Sequence, residues 1–150
     1  MNQITTVSFF KVENFSNKWW AFKQMQLGHR KLKNCDGLLF YKLLGSGAKN
    51  GFSAKPNFGT YALFSVWENE TKAQTFFEQN LFYNTYKKRS SEMFTVYLKS
   101  AEAHGYWDGV QPFEKNAKLE MDKPIEEIII KIKGIENFIP ESIDNIIIPK

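Results

Sequence analysis

Apolar and polar positions alternate or recur along the first hundred residues in six successive stretches. Ile4 to Val12 reads as a strand. In "FSNKWWAFKQMQLGHRKLKNC" the positions Ala21, Phe22, Met25, Gly28, His29 and Leu32 recur at helical spacing, with Lys23, Gln24, Arg30 and Lys31 opposite. Ser16 or Asn17 is the expected N-cap. Leu38 to Leu44 and Tyr61 to Trp67 read as the second and third strands. Asn69 is placed to cap a helix that carries Ala73, Phe76 and Phe77 and continues to about Arg89. Phe94, Val96 and Leu98 alternate with Thr95, Tyr97 and Lys99 in a fourth strand.

The order β-α-β-β-α-β predicts an α+β, ferredoxin-like unit. The second strand is apolar almost without interruption, through Leu38, Leu39, Phe40, Tyr41, Leu43 and Leu44. An antiparallel sheet with helices on one side should present a polar second face to water. An apolar second face needs cover from a partner or repeated sheet, an apolar ligand, or both. The expected assembly is therefore a homodimer of the dimeric α+β barrel type, because monomers seldom expose large apolar patches.

Composition adds a boundary. The 150 residues include 14 Phe, 6 Tyr and 4 Trp, with a formal charge of +4. That charge is too mild to argue for nucleic acid. Eleven isoleucines fall in the last thirty residues, whereas Ile4 is the one isoleucine before them. Residues 4–113 are read as the domain and 114–150 as a C-terminal appendage. In the appendage, Ile125, Ile128, Ile129 and Ile132 fit a helix face, while Ile128, Ile130 and Ile132 fit a strand. Bounded by Pro124 and Gly134 and rich in β-branched residues, the run favours a strand. Cys35 is the sole cysteine, which excludes an intramolecular disulfide. Neither a secretory leader nor a membrane-spanning run is evident, so a cytoplasmic protein is expected, one still able to touch a membrane surface.

The segment from Gly45 to Phe58 contains "GSGAKNGF". It satisfies neither a P-loop nor a dinucleotide fingerprint: Lys49 precedes Gly51 and a strand follows where a helix is needed. Glycines Gly45, Gly47 and Gly51 are read instead as a long β-β connection shaping the mouth of a site.

"LLFYKLLGSGAKNGFSAKPNFGTYALFSVWEN", "EMFTVYLKSAEAHGYWDGVQPF" and the opening "TTVSFFKVENFSNKWWAFKQMQLGHRKL" resemble the spheroidene monooxygenase family of carotenoid biosynthesis and its uncharacterised relatives. The resemblance runs from about Thr5 to Phe113. It implies a haem-dependent oxygenase that adds a keto oxygen to a linear carotenoid, using O2 and electrons from a donor protein. It also implies a longer chain: only "KPIEEIIIKIKG" is similar to the start of the family's second half, so a truncated or frame-altered second half is expected.

Haem iron takes His, Cys, Met or Tyr ligands. His104, just past a strand and beside Gly105, Tyr106 and Trp107, is the first choice for metal ligand and cofactor binding. His29 on the helix is the second, against an ordinary role as a core-edge histidine. Cys35 is more simply a small buried hydrophobe. Arg30 or Lys42 could meet propionates. Phe52, Phe58, Tyr61, Trp67 and Trp107, with Trp19 and Trp20, are candidate walls for a polyene, although most aromatics serve as core. "KKRSSE" at residues 87–92 is read as cations complementing a helix end. The alternative function is a non-enzymatic α+β module that binds an apolar ligand or only dimerises.

Overall fold

A computed structural model describes residues 2–47, 56–100, 103 and 105–114. The chain divides after Lys118, and every described residue lies in the first of the two units. The isoleucine-rich run expected as a strand, Phe52, Gly51 and His104 lie outside the described residues.

Element order is β1 (Ile4–Lys11), α1 (Phe15–Leu32), β2 (Leu38–Gly47), β3 (Pro56–Trp67), α2 (Glu70–Gln79), α3 (Leu81–Arg89) and β4 (Glu92–Leu98). The strands form one antiparallel sheet in the order β2-β3-β1-β4. This is the ferredoxin-like fold expected, with its helices on one face.

Three boundaries differ from the sequence reading. Asn14, not Ser16 or Asn17, caps α1: its side chain accepts from the Asn17 backbone N–H at 2.8 Å. The second helix is broken at Asn80. That one residue ends α2 by donating its backbone N–H to Phe76 and starts α3 by accepting from the N–H groups of Phe82 and Tyr83. Third, β2 and β3 run well into the supposed long loop, with Ser46 opposite Asn57 and Gly47 opposite Pro56. Gly45, Gly47 and Phe58 are therefore strand residues.

The face of α1 is also corrected. Ala21, Gln24, Gly28 and Leu32 are its buried positions, whereas Phe22 and His29 are exposed. Small residues at 21 and 28 let the helix approach the sheet. A Cβ on Gly28 would lie 2.9 Å from Leu43 Cδ1 and 3.0 Å from the Phe82 ring, so no larger residue fits without displacing one of them.

Register assigns every strand residue to a face. Ile4, Thr6, Ser8 and Phe10 of β1, Tyr61, Leu63, Ser65 and Trp67 of β3, and Met93 and Thr95 of β4 lie under the helices. Trp67, Tyr86, Phe10 and Leu63 are among the largest fully buried side chains there. Apart from the Tyr61 hydroxyl, polar side chains among them bond to one another. Trp67 Nε1 donates to Thr6 Oγ1 at 3.0 Å, Thr6 bonds Ser65 at 3.0 Å, and Thr95 lies 2.7 Å from Ser8 and 3.2 Å from Tyr83.

Candidate functional site

The second sheet face carries Val7 and Phe9 from β1, Phe40 and Leu44 from β2, Ala62, Phe64 and Val66 from β3, and Phe94, Val96 and Leu98 from β4. Its polar residues lie mostly at one end, where Lys11 stands between Thr60 and Glu92 and pairs with Glu92 at 2.7 Å, with Thr5 and Lys42 elsewhere. Such a surface is costly in water, at roughly 25 cal/mol per Å² of apolar area. The expectation of two apolar faces thus holds, and the second is the more uniformly apolar of the pair.

Residues 105–114 cover part of this face. Trp107 and Val110 exchange backbone hydrogen bonds of 2.7 and 3.1 Å across Asp108 and Gly109, both with positive φ (54° and 78°). This is a two-residue hairpin turn of the primed kind, which Asp-Gly favours. It places the Trp107 ring 5.0 Å from Phe64 and 5.5 Å from Phe40, and Asp108 on the Lys42 ammonium. Phe113 adds an edge contact to Phe64 at 6.0 Å. Further along, Gln3 donates to the Pro112 carbonyl and accepts from the Glu114 N–H. The "WDGV" signal was present in the sequence and would have predicted this turn. Lys42, considered for a propionate, is committed to Asp108.

A second local device sits where β2 and β3 leave the core. Gly45 pairs with Tyr61 but Ser46 pairs with Asn57, so residues 58–60 bulge from the ladder. Asn57 Oδ1 accepts from the Gly59 N–H at 2.8 Å, and Gly59 in turn accepts from the Val12 N–H at 2.8 Å. The bulge carries Phe58 to α1, 5.4 Å from Phe22. Space at 59 is tight: a Cβ would sit 3.1 Å from Asn57 Oδ1 and 3.3 Å from the Val12 carbonyl, so a side chain there would need these neighbours to shift by a few tenths of an ångström.

Of the five residues proposed as polyene walls, the four described ones, Phe58, Tyr61, Trp67 and Trp107, do not converge. Trp67 is 0% exposed and belongs to the helix-side core with Phe76 and Phe77. Tyr61 is also buried on that side. Its hydroxyl has no hydrogen-bond partner among the described residues, and burial raises its pKa. Gly45, across the ladder from Tyr61, has open space where a side chain would stand, so this end of the helix side is incompletely filled. Phe58 lies at the α1 edge and Trp107 on the second sheet face.

His29 is exposed. Its Nδ1 lies 3.1 Å from the Tyr41 hydroxyl, whose own proton reaches the His29 carbonyl at 3.4 Å. Among the described residues the ring packed against His29 is that of Tyr41, 5.6 Å away. Cys35 donates to the Lys31 carbonyl at 3.4 Å and accepts from Asn80 at 3.6 Å. Burial pushes its thiol pKa up, the behaviour of a structural cysteine and not of a thiolate ligand. No group of three His, Cys, Asp or Glu side chains is clustered among the described residues.

No protein-family model matches the chain. It is 32% identical over 112 residues to spheroidene monooxygenase of Cereibacter sphaeroides, covering 75% of this chain and 35% of that protein. It is 30% identical over 124 residues to spheroidene monooxygenase of Rhodobacter capsulatus, covering 81% and 52%. The chain is a relative of the spheroidene monooxygenases. It spans between 35% and 52% of the length of these two curated relatives. Solved structures place this spheroidene monooxygenase relative among ferredoxin-like folds. Rv0793 from Mycobacterium tuberculosis superposes with a TM-score of 0.51 at 11% identity, covering 69% of this chain and all of that one (100%). SnoaB, a cofactor-independent oxygenase from Streptomyces nogalater, gives 0.50 at 15% identity, covering 69% and 97%. At these identities the likeness is one of fold. No helix among the described residues is long and apolar enough to cross a membrane.

Proposed function

We propose that this chain forms an oxygenase domain acting on a linear carotenoid or similar apolar polyene, with the substrate held against the second face of the sheet. The observation that carries the reading is that face, apolar from Val7 to Leu98, in a chain similar to proteins named spheroidene monooxygenase. A long hydrocarbon requires a continuous apolar wall with few polar groups. The rings of Phe40, Phe64 and Trp107 supply the flat surfaces on which conjugated carbons stack. A second sheet, from another copy of the chain, closes the site over the substrate.

The chemistry is two successive insertions of oxygen into the C–H bonds of one carbon near the end of the polyene. Each takes one O2, two electrons and two protons, places one oxygen atom on the carbon as a hydroxyl and releases the other as water; the resulting gem-diol loses water to leave the keto group. The electrons come from a separate donor protein. Haem is the proposed oxygen-activating group. His104 is the first-choice residue to hold it and His29 the second, as the resemblance implies.

The test is an absorption spectrum of purified chain titrated with haem, followed by product analysis with O2, a reductant and a linear carotenoid. A saturable Soret band that His104→Ala shifts and His29→Ala leaves alone, together with a keto product, supports the reading. Polyene binding without product would make the chain a binding module. Neither haem nor polyene binding would leave only dimerisation.

A further inference from the structure

Helix α1 carries a second apolar stripe on the side away from the core. Phe15 is 84% exposed, Trp19 54% and Phe22 44%. At 100° per residue these three fall within about 60° of one another, and roughly opposite the buried Ala21, Gln24, Gly28 and Leu32. The bulge at residues 58–60 brings Phe58, itself 45% exposed, onto the same patch. Trp19 and Phe22 stack on each other at 5.8 Å, so the patch is continuous. Large aromatics gathered this way on the outer side of a helix have no packing role in the described domain.

Charge around the stripe is one-signed. Between Phe15 and Leu32 there are four cations, Lys18, Lys23, Arg30 and Lys31, and no Asp or Glu. Lys23 lies over the Trp19 ring at 5.9 Å. The C-terminal end of α3 adds to this edge, because Arg89 donates to Asn17 Oδ1 at 3.0 Å and stacks on Trp20. The nearby carboxylate of Glu13 is partnered by Lys11.

We infer that the outer face of α1 is a docking surface for an anionic lipid bilayer, with Phe15, Trp19, Phe22 and Phe58 entering the interface and Lys18 and Lys23 meeting the headgroups. Aromatic rings beside lysines on a helix are the composition that lies in a membrane–water boundary. A second copy of the chain is the poorer occupant. Two such helices face to face would oppose lysine to lysine with no carboxylate between them, whereas an anionic headgroup layer complements every charge. The surface is on the far side of the helix layer from the second sheet face, so attachment leaves that face available. Docking here does not depend on oxygenase activity.

Co-sedimentation of the full chain with vesicles tests this. Vesicles of equal parts phosphatidylglycerol and phosphatidylcholine should pellet the protein, and phosphatidylcholine alone should pellet at least about tenfold less. The double variants Trp19→Ser/Phe22→Ser and Lys18→Glu/Lys23→Glu should each weaken partitioning about tenfold or more. Raising salt toward 1 M should release the wild type. All four positions are on the helix exterior, and far-UV circular dichroism checks that the variants fold. Phe15→Ser, at the most exposed position, gives an independent reading. The inference fails if the wild type does not pellet, if it pellets equally on both lipids, or if both double variants pellet as it does. It fails too if the aromatic variant converts a sedimenting dimer to monomer, which would make the patch a contact between copies.

Discussion

The two faces of the sheet are built on different principles. Under the helices, β1 contributes Ile4, Thr6, Ser8 and Phe10; on the other side it contributes Thr5, Val7, Phe9 and Lys11. The hydroxyls of Thr6, Ser8, Ser65 and Thr95 lie on the buried side and bond to each other, to Trp67 and to Tyr83. Such a satisfied network fixes the register of helices on sheet as well as adding stability. The second face has little of this kind. It is mostly hydrocarbon, spanned in part by a turn that lays Trp107 and Phe113 on Phe64. A permanently covered core face can hold polar groups that specify its packing, while the second face is mostly apolar and, among the described residues, covered in part by the turn.

Substitutions separate the two faces most sharply through stability. Trp67→Ala should cost about 3–5 kcal/mol, because it opens a cavity beside Phe76 and Phe77 and removes the donor to Thr6. Phe64→Ser, on the second face, should cost less than half as much. Urea denaturation measures both; equal losses would mean that the second face is as much core as the first.

Gly28→Val tests the helix–sheet distance. With Leu43 and Phe82 already at contact, overpacking should destabilise by about 1–3 kcal/mol. A neutral result would show that α1 can lift from the sheet without penalty.

Gly109→Ala tests the turn over the second face. At φ 78° an L-residue is strained, and about 1–2 kcal/mol of local cost should loosen Trp107 without unfolding the sheet. The measurement is a red shift and greater quencher access in the Trp107 signal of a variant with Trp19, Trp20 and Trp67 replaced by Phe. An unchanged Trp107 signal would detach the turn from the face.

The smallest effect concerns alkaline pH and belongs to the helix side. Burial raises the pKa of Tyr86 and Tyr61 above the ordinary 10.0. Below pH 10 each is neutral in both the folded and unfolded chain. As pH rises past 10, the unfolded chain ionises first and stability falls. Tyr86→Phe should therefore flatten the loss of melting temperature above pH 10, and an unchanged slope would remove Tyr86 from the account.

Much of the fold was legible because periodicity and caps are local. The order of the elements, the Asn69 cap and the apolar β2 all follow from residues near in sequence. What escaped depended on partners far along the chain. Gln24 is buried and Phe22 exposed because the small Ala21 and Gly28 set the depth of α1, a choice made by Leu43 and Phe82 and invisible in α1 alone. Gly45 to Phe58 read as one loop because Gly, Ser and Asn suppress strand propensity, yet pairing with the opposite strand extends the ladder to Gly47 and Pro56. The site was less legible. Trp67 and Tyr61 looked like candidate walls because a large aromatic has the same letter in a core and in a pocket. Trp107 lies on the second sheet face, and its position over Phe40 and Phe64 follows from the Asp108-Gly109 turn.

The most direct test is a titration of the folded chain with a linear carotenoid, read by quenching of Trp107 fluorescence in that same single-tryptophan background. Saturable quenching that Phe64→Ser abolishes, while its melting temperature falls only modestly, is the result required if the second sheet face holds the polyene. Quenching that is absent, or that Phe64→Ser leaves unchanged, would contradict it.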